Sequence, residues 1–208
     1  MIKNIVFDLG NVLVKFDPDE ILNNLFGNDM LKDKLKSIVF KNSFWKELDR
    51  GTLSYEEFQE ACYKTSPEFK KEISLIIESW DKFLFPIEEN IKLLHELKAN
   101  GYKLYILSNF HEKAFKEILS KYTFFNLFDG MVISYQVKLI KPEIEIYKIL
   151  LNKYNLIPVQ TIFIDDTVEN IRAAEKVGIN TIHYKNHDML KEELKPKLSF
   201  IQALSNKE

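Results

Sequence analysis

Asn4-Ile5-Val6-Phe7-Asp8-Leu9-Gly10-Asn11-Val12 is the stretch on which the fold turns. Ile5, Val6 and Phe7 are β-branched or aromatic, and no polar residue alternates with them before Asp8. A strand that is apolar on both sides offers no face to water. It belongs inside a parallel sheet with helices on both faces. Four further runs of this kind lie at 103–107, 131–134, 161–164 and 181–184.

Helical patterns separate these runs. Residues 88–100 carry Ile91, Leu94 and Leu97 on one face and stop at Gly101. Residues 145–154 carry Ile146, Ile149 and Leu150. Residues 168–177 carry Ile171 and Ala174 and stop at Gly178. A glycine just past the last periodic residue is a helix C-terminal signal. Strand–helix alternation of this kind predicts right-handed crossovers and a doubly wound, Rossmann-like α/β sheet.

The segment 17–85 breaks the rhythm. It shows no strand pattern, only helices with good start signals. Asp17-Pro18-x-Glu20 reads as an N-cap, a first-turn proline and a capping glutamate. Ser54-Tyr55-Glu56-Glu57 has capping-box spacing, and Ser66-Pro67-Glu68 starts another helix. The expected organisation is an α/β core from 1–16 and 86–208, with a helical lobe, 17–85, inserted after the first strand. Such a lobe over the carboxyl edge of the sheet would serve as a lid. Trp45 is expected in its core. The tail, 191–208, is polar and is expected to end in a helix.

The 208 residues are 46% hydrophobic, enough for one core and a modest insert without covalent staples. Cys62 stands alone, so no intrachain disulfide forms, which fits a reducing compartment. Formal charge is −2, with Lys and Glu mixed along the chain. That argues against a nucleic-acid partner held by a basic patch. No apolar run approaches membrane-spanning length. The chain opens on a core-like run with no signal-peptide pattern before it. The expectation is a cytoplasmic protein without membrane or nucleic-acid partners, monomeric or homodimeric.

Ligands of open α/β sheets bind beyond the carboxyl ends of the strands. Here those ends read Asp8, Ser108-Asn109 and Asp165-Asp166, with Lys141 a short loop after the third run. They meet only if the first, second and fourth strands are central. A strand-end carboxylate can attack phosphorus and split one hydrolysis into two easier steps. Mg²⁺ takes carboxylate oxygens, and Asp8 with one of Asp165-Asp166 supplies them. Lys141 and the Ser108 hydroxyl would hold phosphoryl oxygens. Each group alone has a plainer reading, as a turn residue, a helix cap or an exposed pair. What points to phosphoryl transfer is that four such groups fall, in order, at strand ends.

The strings Phe7-Asp8-Leu9-Gly10-Asn11-Val12, Leu107-Ser108-Asn109, Lys141-Pro142 and Ile164-Asp165-Asp166 resemble the four ordered motifs of the haloacid dehalogenase superfamily. The resemblance runs over 4–184 and includes a helical cap after the first motif. It implies Asp8 as nucleophile, the Gly10 carbonyl as a metal ligand, and Ser108, Asn109 and Lys141 as phosphoryl-binding groups. It implies Asp166 as the direct metal ligand, with Asp165, and Asn170 nearby, orienting a metal-bound water. Arg50-Gly51-Thr52-Leu53-Ser54 and Lys141-Pro142-Glu143-x-x-Ile146-Tyr147 further resemble the bacterial α-D-glucose-1-phosphate phosphatases and the N-terminal phosphatase domain of soluble epoxide hydrolases. The function so implied is a Mg²⁺-dependent phosphatase of a small phosphorylated metabolite, plausibly a sugar phosphate, acting through an aspartyl-phosphate.

One position departs from the pattern. The usual phosphatase motif places a second aspartate two residues after the nucleophile, and here that residue is Gly10. General acid–base help is worth roughly 10²–10⁴-fold. The subgroup also carries Leu-Gly-Asn, so activity need not be lost. Asp17, His111 or Asp165 could stand in. Alternatively the leaving group needs little protonation, as with a sugar 1-phosphate, whose anomeric hydroxyl is more acidic than a simple alcohol, and a preference for sugar 1-phosphates is expected. Asp17 reads more simply as a helix N-cap, and His111 as a surface-loop histidine. Lys46 and Arg50 are the lobe's candidates to reach substrate. Three rivals have features against them. A 2-haloacid dehalogenase, whose halide leaves unprotonated, conflicts with Gly10 and with the pair Asp165-Asp166. A sugar phosphomutase needs a strong acid at position 10. A non-catalytic phosphate-binding relative is disfavoured by intact Asp8, Lys141, Asp165 and Asp166.

Overall fold

The computed structural model describes residues 1–27 and 31–198. The chain enters through β1 (Asn4–Phe7) and β2 (Val14–Lys15). It then runs through five helices: α1 (Pro18–Phe26), α2 (Lys32–Val39), α3 (Ser43–Arg50), α4 (Tyr55–Thr65) and α5 (Lys70–Ser79). It returns through β3 (Phe85–Pro86), α6 (Glu88–Ala99), β4 (Lys103–Ser108), α7 (Glu112–Lys121), β5 (Gly130–Ile133), α8 (Ser134–Val137) and α9 (Ile144–Lys153). The last elements are β6 (Thr161–Asp165), α10 (Val168–Lys176), β7 (Asn180–His183) and α11 (His187–Leu194). Positions 199–208, the end of the expected terminal helix, lie outside the described residues.

Five strands form one parallel sheet in the order β5-β4-β1-β6-β7. The strands ending in Ser108, Asp8 and Asp165 are therefore the three central ones. Phe7 stands in register with Ile106 on one side and Ile164 on the other. That alignment brings Asp8, Asp165 and, one residue further along its strand, Ser108 to one edge.

Alternate residues explain why the strands read as continuously apolar. Ile5, Phe7, Leu104, Ile106, Ile162 and Ile164 face one core, together with Leu94 of α6 and Phe115 of α7. Val6, Tyr105, Leu107 and Phe163 face the other, with Tyr147 and Leu150 of α9 and Ala174 of α10. Period-two side-chain direction with helices on both faces buries every position. Asn90 of α6 is wholly buried yet satisfied. Its amide donates to Val12 O (2.5 Å) and Tyr184 Oη (2.9 Å), and its Oδ1 meets His187 Nδ1 at 2.8 Å. This network pins the loop that follows Asp8.

The expected absence of strand across 17–85 is corrected at its end. Phe85 opens β3, which pairs antiparallel with β2, Val14 against Pro86 and Lys15 against Phe85. Two residues per strand give no periodicity to read. Between them the chain is helical and begins as its start signals indicate. Asp17 accepts from the amides of Asp19 (3.0 Å) and Glu20 (3.2 Å). Ser54 and Glu57 complete a reciprocal capping box. Pro67 opens a short 3₁₀ turn ahead of α5. Among the described residues, no helix is long and apolar enough to cross a membrane.

The helical lobe closes against the core at α3. Gly51, with φ +75°, ends that helix in the left-handed region. A Cβ there would meet the Tyr135 carbonyl oxygen at 2.8 Å. Lys138 donates to the Gly51 carbonyl. Arg50 clasps Glu143 with two bonds, 2.6 and 2.9 Å. Ser134 Oγ donates to the Asp49 carbonyl. The last turn of α3 is thus fixed to the sheet edge.

Candidate active site

Asp8 leaves β1 with its amide donating to Ile164 O at 2.9 Å, so the ladder extends one residue past the strand. Its Oδ1 accepts from the Leu9 amide at 2.7 Å. Beyond Gly10 the backbone turns at Asn11, φ +54°, a conformation asparagine tolerates better than most residues. Asn11 Oδ1 accepts from Phe16 N (3.0 Å), and its Nδ2 reaches Asp166 Oδ2 (3.4 Å).

Lys141 lies in the middle of the cluster. Its Nζ is 2.8 Å from Asp8 Oδ1 and 2.6 Å from Asp165 Oδ2, with almost no exposure. Asn109 secures the loop that carries it. Asn109 Nδ2 donates to Lys141 O (3.0 Å) while its Oδ1 accepts from Lys141 N (2.7 Å). Asp165 is fully buried and also accepts from Thr167 N (2.8 Å) and from Asn170 Nδ2 (3.0 and 3.1 Å). Asp166, next in sequence, is half-buried and faces Asn11 and Thr167.

Oxygens of Asp8, Asp165 and Asp166 all lie within 4.8 Å of one another. One ammonium cannot neutralise three carboxylates. Burial lifts the Asp8 pKa, Lys141 pulls it back, and Asp165 adds to the rise, for a value of about 7. Asp166 is raised by burial and then by Asp165. Burial disfavours the Lys141 cation, but Asp165 and Asp8 outweigh it and hold the pKa above its ordinary value. Ser108, 1% exposed, has no partner for its Oγ at full hydrogen-bond geometry and leans only on Asp8, where it is the smallest of the influences that lower the pKa. A buried hydroxyl without a partner is costly unless a ligand completes it. Surplus negative charge on hard oxygen donors suits a divalent cation, and the idle hydroxyl suits an anion that accompanies one. The residues therefore fit the group that the sequence implies.

A cavity of about 100 Å³ opens over Asp8 and Gly10. Phe16, Trp45, Trp80, Leu84 and Phe110 form its apolar wall, and Asp49, Asn109 and His111 its polar one. Trp45 serves both lobe core and cavity: its ring packs on Phe40, Phe58 and Trp80. A larger cleft, bordered by Tyr55, Lys113 and Lys138, holds none of the carboxylate cluster.

His111 is not the surface histidine its loop context suggested. It is 2% exposed because Trp45 and Trp80 of the lobe pack on its ring. It caps α7 through Nδ1, which accepts from Ala114 N at 3.5 Å, and Nε2 is left without a partner. Burial, then Lys113, lowers its pKa to about 3, so the ring is neutral.

Asp17 caps α1 and lies in that turn rather than in the cavity wall. Arg50 is engaged by Glu143, Lys46 is exposed, and neither lines the cavity. Asp49, which sequence reasoning passed over, does line it. Burial raises its pKa to about 7, opposed by the Trp45 side chain and the His111 backbone amide. Its i,i+4 spacing from Trp45 is the one signal that could have found it, since that spacing puts both on one helix face.

The sequence model of the haloacid dehalogenase-like hydrolase family matches residues 5–184. The chain is 27% identical over 181 residues to a sesquiterpene phosphatase of Aspergillus oryzae, covering 87% of this chain and 89% of that one. It is 28% identical over 212 residues to a D-ribitol-5-phosphate phosphatase of Bacteroides thetaiotaomicron, covering 93% and 97%. A crystal structure of a family enzyme from B. thetaiotaomicron, in complex with magnesium and inorganic phosphate, superposes with a TM-score of 0.69 at 27% identity, over 89% of this chain and 95% of that one.

Proposed function

The chain belongs to the haloacid dehalogenase-like hydrolases, and from that premise we propose that it is a Mg²⁺-dependent phosphoric monoester hydrolase acting through an aspartyl-phosphate on Asp8. The observation that carries the reading is the buried meeting of Asp8, Lys141, Asp165 and Asp166, with Lys141 Nζ within 2.8 Å of two carboxylates. The two phosphatases and the magnesium–phosphate complex among its relatives support the same chemistry.

Asp8, the Gly10 carbonyl and Asp166 would hold the cation, with Asp165 and Asn170 behind them. When bound, Mg²⁺ supplies charge to offset the phosphoryl oxygens and to keep Asp8 ionised. Asp8 attacks phosphorus from the rigid end of the central strand. Lys141 and Ser108 Oγ hold the equatorial oxygens, the first by charge and the second through the hydroxyl now idle. Asn109 keeps the Lys141 loop at the right height, and Asp165 orients its ammonium. The helical segment 17–85 acts as the cap that excludes water.

The substrate is a small phosphorylated metabolite, a sugar or polyol phosphate. The modest cavity, with aromatic walls to cover C–H faces and Asp49 and His111 for hydroxyls, supports that class. The test is a phosphatase screen over sugar phosphates, nucleotides and acyl phosphates with Mg²⁺. Asp8→Asn serves as the blank. Turnover of a sugar or polyol phosphate that vanishes in the blank and in chelator is the expected result. Activity retained in either would refute the reading.

A further inference from the structure

Cleaving a phosphate ester leaves an oxygen that must gain a proton, and Gly10 offers none. Room is not the reason for glycine there. Its backbone is outside the left-handed region, and a Cβ would meet no atom within 4 Å. An acid must come from elsewhere.

In-line displacement places the leaving oxygen on the side of phosphorus opposite Asp8. That side faces the cap. Among the described residues lining the cavity over Asp8, Asp49 is the one other carboxylate. The Trp45 side chain and the His111 amide hydrogen-bond it in the wall but bring no counter-charge. Asp49 has no ion-pair partner among the described residues, and the adjacent Arg50 is turned away to Glu143. It sits in the last turn of α3, where the helix dipole disfavours an anion. Ser134 anchors its backbone carbonyl. A carboxyl on a cavity wall with no counter-ion, at a helix end that disfavours its charge, marks a candidate functional position. Burial also favours its protonated form near neutrality.

Building on the phosphatase reading, we infer that Asp49 is the general acid and base of the reaction, replacing from the cap the carboxyl absent at position 10. In the first step Asp8 Oδ bonds to phosphorus and the bond to the leaving oxygen breaks. The electron pair stays on that oxygen, and the Asp49 proton joins it. The products are free alcohol, aspartyl-phosphate and Asp49 carboxylate. Water then enters where the alcohol was. Asp49 takes its proton as the water oxygen bonds to phosphorus, and the bond to Asp8 breaks with its pair returning to the carboxylate. Inorganic phosphate leaves, and Asp49 is protonated again. One carboxyl opposite Asp8 serves both steps because leaving group and water occupy the same place in turn. With this acid present the alcohol need not be acidic, so the ground for favouring sugar 1-phosphates falls away.

The test compares two esters on the Mg²⁺-loaded enzyme: the sugar phosphate that the wild type turns over best, and dinitrophenyl phosphate, whose leaving group needs no proton. Phosphorylation of Asp8 is followed as the first-turnover burst of released alcohol or phenolate. Asp49→Asn, checked for an unchanged melting curve, is expected to lose roughly 10²–10⁴-fold on the sugar ester while the dinitrophenyl burst stays within about threefold. Adding Gly10→Asp, whose Cβ would meet no atom within 4 Å, is expected to restore at least about tenfold on the sugar ester. Equal losses on both esters, or no loss on the sugar ester, would overturn the role of Asp49. Hydrolysis by the wild type that survives Asp8→Asn would instead overturn the phosphatase reading, and Asp49's role with it.

Discussion

Asp165 and Asp166 are adjacent in sequence and opposite in circumstance. Asp165 is sealed in, paired with Lys141 and held by Asn170 and the Thr167 amide. Asp166 is half-buried, and its two oxygens accept only long bonds, from Asn11 (3.4 Å) and Thr167 (3.3 Å). That division of labour follows from strand alternation at the end of β6. His111 makes a second point at this scale. Its folded pKa, near 3, lies below the ordinary 6.5. The unfolded chain takes up a proton between those values and the folded chain does not, so stability is lost as pH falls through that window. The slope is about 1.4 kcal/mol per pH unit. Asp8 and Asp49 shift the other way, but in both proteins of a comparison. Urea unfolding of wild type and His111→Leu at pH 7 and pH 5 should therefore show the wild type losing about 2 kcal/mol more. Equal losses would mean that the histidine is not buried neutral. Asp8, Ser108, Lys141 and the aspartate pair were legible as residues because each ends or follows an apolar run. Asp49 was not. Its meaning comes from the packing of α3 on the sheet edge, and no local pattern encodes that.

At the scale of elements, two helix starts were written plainly, because capping chemistry is local: Asp17 and Ser54 each begin what their side chains predict, whereas Pro67 opens only a short 3₁₀ turn ahead of α5. The β2–β3 pair was hidden, since two residues cannot alternate. The contact that matters most here is the turn after α3. Gly51 adopts φ +75° while the Tyr135 carbonyl lies where a Cβ would go. Gly51→Ala is expected to cost about 1–2 kcal/mol for the left-handed backbone alone, and more for the clash. Because Asp49 and Trp45 ride on the same helix, the shift should also raise KM. Urea denaturation and steady-state kinetics check both; an alanine variant of wild-type stability would show that the lobe is not seated on Tyr135.

For the whole molecule, the decisive fact is strand order. With β4, β1 and β6 central, groups more than 150 residues apart share one crevice. The sequence implied strand count and direction; order was a condition that it could state but not derive, because pairing depends on helices filling both faces. A consequence is that metal should stabilise the entire fold through the shared carboxylates. Magnesium at about 100 times its Kd should add about 2.7 kcal/mol, which is about 5–10 °C in Tm for a chain of this size. Asp166→Asn should lose most of that shift while melting at a similar temperature in chelator. An undiminished shift would place the cation elsewhere.

The most direct measurement is chemical trapping of the intermediate. Enzyme mixed with Mg²⁺ and a turned-over phosphate ester is quenched in acid, reduced with borohydride and digested, and the peptide spanning Asp8 is read by mass spectrometry. Conversion of Asp8, and of no other aspartate, to the reduced residue is the expected result, absent without substrate. Turnover with Asp8 unmodified, Asp49 or Asp166 labelled in its place, or an Asp8→Asn enzyme that still hydrolyses the ester would contradict the account.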